Sequence, residues 1–180
     1  MQKIMFNDHY GLTQAVLDGR KTMTRRIVPN GTPLGNWEDT ENKSRYKTGE
    51  VVAIAQAYKD ALNPLDWVNK LIYEDEKSWN NKMFVKSELM PHQIRITDIH
   101  IERLQDISDE DCLREGIIDK LLCPPGDITY YYVPGMPTRS KNDVYPTPQE
   151  AFAVLIDKVS GKGTWERNPL VFVYEFDLIK

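Results

Sequence analysis

Apolar positions alternate in some stretches of the chain and recur every third or fourth residue in others, and these two periods divide it into strands and helices. Lys3 to Phe6 reads as a short opening strand. From Asp8 to about Asp18, the apolar Leu12, Ala15 and Val16 fall at i, i+3 and i+4, with Asp8 placed to cap a helix and Gly19 to end it. Residues 22–28 are rich in Thr, Ile and Val and predict a strand. Val51 to Tyr58 predicts another, with Val52, Ile54, Gln56 and Tyr58 on one face. In Ile94 to Ile101 the phase slips: Ile94 and Ile96 share one face, Ile99 and Ile101 the other. A β-bulge near Thr97-Asp98 reconciles them.

Ser108 begins a short helix to about Glu115, ended by Gly116. Thr147-Pro148-Gln149-Glu150 is a strong helix start, with threonine at the N-cap, proline at N1 and glutamate at N3. Phe152, Leu155, Ile156 and Val159 continue its apolar face until Gly161 and Gly163. Leu170 to Leu178 is the last strand, with Phe172, Tyr174, Phe176 and Leu178 on one face. Residues 29–48 carry loop chemistry, 60–90 offer a short helix near Asp66 to Ile72, and 119–146 read as an excursion with one strand at most. Strands and helices do not alternate regularly, so the fold class expected is α+β, with helices around a small sheet or barrel.

The 180 residues suit one domain. A hydrophobic content of 41% permits a core, and the net charge of −4 means that any nucleic-acid binding must come from a local basic patch. Cys112 and Cys123 form no CxxC pair, which fits a reduced, cytoplasmic protein. The first residues lack the apolar core of a secretory leader, and no stretch approaches the ~18 apolar residues that span a bilayer. A membrane role is therefore not expected.

The sharpest local signal is residues 20–26, where Arg20, Lys21, Arg25 and Arg26 interleave with Thr22 and Thr24 in an acidic chain. Arginine forks and hydroxyls together suit phosphate or carboxylate, although basic residues also protect sheet edges. Gln56 is the second signal, a mid-strand amide able to pair with a nucleobase or with the backbone of the core. His9, His92 and His100 are scattered, so neither a metal site nor a cofactor is expected. The acidic run from Asp106 to Glu115 reads as a solvated helix face, and Trp165 as a cover for the end of the core.

Together these segments resemble the ASCH family of the PUA-like superfamily, in its phage- and prophage-associated group. The match rests on Ile4-Met5-Phe6-Asn7, on Leu17-Asp18-Gly19-Arg20-Lys21-Thr22-Met23-Thr24-Arg25-Arg26, on Gly49-Glu50-Val51-Val52, on Arg95-Ile96-Thr97 through Ser108 and from Asp111 to Ile117, and on Asn168-Pro169 through Phe176. Residues 28–47, 60–88 and 119–146 stand outside it as insertions. The resemblance implies a small PUA-like β-barrel with peripheral helices, and a cleft serving RNA or nucleosides. Some relatives are amidohydrolases of acylated nucleosides that use a lysine, a threonine and a strand glutamate. The first two positions fall on Lys21 and Thr24, but the glutamate position carries Gln56, which cannot accept a proton.

That departure places binding ahead of catalysis. The expected ligand is RNA, single-stranded nucleic acid or a nucleoside, with Arg20, Arg25 and Arg26 meeting phosphates, Gln56 and Tyr58 meeting a base, and Thr22 and Arg95 also at the ligand site. The alternatives are a hydrolase of modified nucleosides, with Lys21 as base and Thr24 as nucleophile, and a phage-encoded module that binds another protein.

Overall fold

The computed structural model describes residues 1–62, 67–73, 75, 77–121, 129–136 and 143–179. Its strands are β1 (Lys3–Ile4), β2 (Met23–Ile27), β3 (Val51–Ile54), β4 (Gln93–Arg103), β5 (Ile118–Leu121), β6 (Thr129–Tyr132) and β7 (Leu170–Leu178). Its helices are α1 (Leu12–Leu17), α2 (Trp37–Asn42), α3 (Tyr58–Ala61), α4 (Trp67–Tyr73), α5 (Asp109–Arg114), α6 (Pro148–Ser160) and α7 (Thr164–Arg167). This is the expected α+β architecture.

Five strands form one mixed sheet in the order β1-β3-β4-β7-β2. β1 runs parallel to β3 and every other neighbour is antiparallel. β5 and β6 form a separate antiparallel pair. β7 lies inside the sheet and is buried on both faces from Val171 to Tyr174. That burial explains its near-continuous apolar run better than the one-faced alternation read from sequence. The bulge is where the phase slip puts it: Ile96 pairs with Phe176 and Asp98 with Glu175, leaving Thr97 as the extra residue. Ile94, Ile96 and Ile99 all reach the core as a result.

α6 starts as its sequence dictates, with the Thr147 hydroxyl accepting from the Glu150 N–H at 3.2 Å. Phe152, Leu155 and Ile156 of α6 are buried, and Trp165 meets Phe152 edge-on at 6.2 Å, covering the end of the core as expected. Among the described residues no helix is long and apolar enough to cross a membrane.

The sheet is not closed into a barrel. β1 and β2 are its edges, and among the described residues no backbone ladder joins them. A side chain spans the seam instead: the Arg26 guanidinium on β2 donates to the Met5 carbonyl, just past β1, at 2.7 Å.

Four other expectations change. Gly11, at φ +61°, divides the expected first helix into a 3-10 turn (Asp8–Tyr10), capped by Asn7 rather than Asp8, and α1. The expected strand 51–58 stops at Ile54, and Tyr58 begins α3. The loop 29–48 holds α2, capped by the Asn36 side chain, whereas in 60–90 α4 forms where the short helix was expected. The 119–146 excursion carries β6 and most of β5, two strands where one at most was expected, and its residues 122–128 and 137–142, Cys123 among them, lie outside the described residues.

Candidate functional site

The basic segment folds back before it becomes β2. Gly19 takes φ +73°, and the Arg20 and Lys21 N–H groups both donate to the Ala15 carbonyl at 2.9 Å. The Thr22 N–H donates to the Arg114 carbonyl at 3.0 Å, tying the segment to α5. Main-chain bonds thus deliver Lys21 against the end of α5, and Arg25 follows from the register of β2 on β7.

The Arg25 side chain has no exposed surface and lies among three carboxylates. Its Nε donates to Glu102 at 2.7 Å, one terminal nitrogen to Asp111 at 3.1 Å and the other to Glu115 at 3.3 Å. Burial alone would lower its pKa, but Glu115, Glu102 and Asp111 together hold it above the ordinary arginine value. A guanidinium serves three acids at once because its donors form a rigid planar fork. Arg25 therefore has no free donor edge to offer a phosphate.

Lys21 is 2% exposed. Its Nζ donates to the Glu115 carboxylate at 2.5 Å and to the Glu115 backbone carbonyl at 2.8 Å, and stands 5.8 Å from the Phe6 ring centroid. Gly116 makes this approach possible. At φ +107° it turns the chain out of α5, and a Cβ there would sit 3.3 Å from Leu12 Cδ2. Burial pulls the Lys21 pKa down, Glu115 opposes that shift, and Arg26 and Arg25 add to it. The net direction is downward, toward a more readily deprotonated amine.

Lys21, Thr24, Arg25, Arg26 and Glu115 line one small cavity of about 70 Å³, backed by Phe152 and Leu155 of α6. Thr24 is 5% exposed. Its hydroxyl has no hydrogen-bond partner among the described residues, and none of the side-chain oxygens sealed from solvent is unpaired, so it opens onto this cavity. A larger groove of about 240 Å³ adjoins it and shares Met5 and Arg26. Both openings lie along the β1–β2 seam.

The remaining predicted residues are elsewhere. Arg20 is on the surface, paired with Asp18 at 3.1 Å. Thr22 accepts from Arg114 Nε at 3.1 Å. Gln56 lines a different opening, with Asp8, Gln14 and His92, and its side-chain oxygen lies 2.7 Å from His92 Nδ1. Tyr58 is fully buried in a second apolar cluster with Val85 and Met90, where its ring cannot stack on a base. Its hydroxyl accepts from the Lys86 N–H. Arg95 is exposed on β4, opposite Val51 and Asp177, and away from the seam. The structure brings together Lys21, Thr24, Arg25 and Arg26, and leaves out Arg20, Thr22, Gln56, Tyr58 and Arg95.

Sequence reading missed Glu115 and Asp111 by taking residues 106–115 as a solvated face. A signal was present: Ser108 and Gly116 bracket a one-and-a-half-turn helix on which Asp111 and Glu115 fall at i and i+4, one face, while Cys112 is buried on another. It also missed Lys43, Arg45 and Tyr46 of the larger groove, which follow α2 in what read as loop.

No family model matches the chain, and no curated protein does. A solved structure similar to it is that of a DUF984 protein from Enterococcus faecalis V583, at 14% identity and a TM-score of 0.42, covering 99% of this chain and 77% of that one.

Proposed function

We propose that this chain hydrolyses a small acylated substrate of the nucleoside type, with Thr24 as nucleophile, Lys21 as general base and Glu115 as the carboxylate that holds the lysine. One observation carries this reading: the buried Lys21 amine, its pKa drawn down by burial, lines the same cavity as a Thr24 hydroxyl that has no hydrogen-bond partner among the described residues. A hydroxyl is a weak nucleophile until a neighbouring base takes its proton, and a lysine is such a base only when its environment lowers its pKa. The β1–β2 seam reads as the entrance of an incompletely closed, PUA-like barrel.

The steps balance with water alone. Neutral Lys21 takes the proton of Thr24 as Oγ1 bonds to the acyl carbon. The lysine returns that proton to the departing amine as the C–N bond breaks. Water then attacks the threonine ester, gives a proton to Lys21, and Thr24 Oγ1 recovers it as the C–O bond breaks. The acid and the amine leave.

Gln56 loses its importance here. It lines another opening, and Glu115 supplies a carboxylate at the lysine. Gln56→Glu is therefore expected to leave turnover of an N-acylated cytidine at the wild-type level. A gain of activity would return the strand position to the site.

The test of the reading is that turnover with Thr24→Val, which keeps the shape and deletes the hydroxyl. Wild type should release free cytidine and the variant should not. Equal rates in the two would remove Thr24 from the chemistry. A second reading, a module that binds RNA or nucleotides without turnover, is favoured by the exposed Arg26 and by Lys43 and Arg45 beside Tyr46. It predicts binding without release of product.

A further inference from the structure

We infer that the larger groove is an anion subsite, and that a ligand bearing a phosphate monoester is preferred there to its neutral counterpart. Three cations, Arg26, Lys43 and Arg45, line this groove, and its lining includes no carboxylate, although the chain as a whole is acidic. All three side chains are exposed, and among the described residues none of them is in an ion pair. They differ in this from Arg20, Arg25 and Arg114, each of which is paired with an acid.

The other walls are aromatic. Tyr46 and Tyr174 pack edge to face at 5.3 Å, Phe172 lies 6.0 Å from Tyr174, and the Arg45 guanidinium sits 5.5 Å from the Tyr46 ring centroid. The rings are fixed: the Tyr46 hydroxyl donates to the Lys3 carbonyl and the Tyr174 hydroxyl accepts from the Arg45 N–H. These rings are buried, with Tyr46 3%, Phe172 2% and Tyr174 1% exposed, so they brace the groove rather than offer a face to stack on, and the cations at its rim are what suit a negative group. A phosphate monoester, with close to two charges at neutral pH, uses the three cations better than a single carboxylate does.

The groove adjoins the Lys21–Thr24 cavity through Met5 and Arg26, so one molecule can reach both. The inference rests on the proposed hydrolysis only for what happens at the reacting end. Binding at the groove does not depend on it.

The experiment is calorimetric binding of cytidine 5′-monophosphate and of cytidine to the wild-type protein and to a Lys43→Ala, Arg45→Ala variant. Neither side chain contacts the buried network, so the variant is expected to fold. Wild type should bind the monophosphate about tenfold or more tighter than the nucleoside, the scale of one or two charge-assisted hydrogen bonds. The preference should shrink in raised salt and shrink further in the variant, where Arg26 is the one cation left in the groove lining. Equal affinities for the two ligands, or an unchanged preference in the variant, overturns the inference. So does binding that requires an RNA oligomer and is absent for the mononucleotide. If the monophosphate binds as described but its N-acylated form is not hydrolysed, the subsite stands and the hydrolase reading fails.

Discussion

Arg25→Ala is expected to cost the folded state about 3–5 kcal/mol, the scale seen when one partner of a buried ion pair is removed. The reason is the number of acids left behind. Arg25 answers Glu102, Asp111 and Glu115 from a fully buried position; without it Glu115 keeps Lys21, Asp111 keeps only the partly exposed Arg114 at 3.5 Å, and Glu102 keeps no lysine or arginine among the described residues. A domain of this size has a total stability of roughly 5–15 kcal/mol, so much of it would be lost. Arg25→Lys should recover little, because an ammonium on a flexible stem cannot reach three carboxylates in one plane. Urea denaturation of the three proteins measures this. A loss below about 1 kcal/mol for Arg25→Ala, the range of exposed ion pairs, would mean that the cage is solvated and contributes little.

Lys21→Met is expected to have the largest effect on activity, with turnover falling roughly 10²–10⁴-fold, the usual contribution of a general base. Its effect on stability should be small by comparison. Methionine fills a similar volume, and Glu115 keeps its contact with Arg25. The pH dependence follows from the direction of the Lys21 shift. The amine acts as base only when neutral, so kcat/KM should rise with pH and level off below the ordinary lysine value of about 10.4. The same shift acts on stability with a definite sign. Between the lowered native pKa and the unfolded value, the unfolded chain binds more protons at this position than the native one. Stability therefore gains from Lys21 as pH rises through that window, and the gain is absent below it. In Lys21→Met both dependences should disappear. A rate profile identical in shape for wild type and variant would assign the base elsewhere.

How far the fold and site can be read from sequence differs from one element to the next. The bulge at Thr97 and the start of α6 were legible because each is a local rule, a phase of two that slips and a cap followed by proline. The C-terminal part of β3 was not. Ala55 and Ala57 continue the strand's alternation, but the chain turns after Ile54 and Tyr58 buries its ring in the second cluster. That packing is tertiary, and alternation has no access to it. Arg25 and Arg26 look equivalent in sequence, and only the acids brought by α5 and β4, more than 70 residues away, separate a buried structural arginine from an exposed one. Lys21 and Thr24 were found through a motif. Glu115 was not, because its helix reads as acidic and solvated until Lys21 is placed beside it.

The most direct test of the central claim is to look for an acyl group on Thr24 itself. Wild-type protein is mixed with an N-acylated cytidine, quenched in acid within the first turnover, digested and weighed by mass spectrometry. The peptide carrying Thr24 should gain the mass of the acyl group, free cytidine should appear with it, and Thr24→Val should show neither. Release of cytidine with no mass gain on that peptide, or no release at all from the wild type, would contradict it.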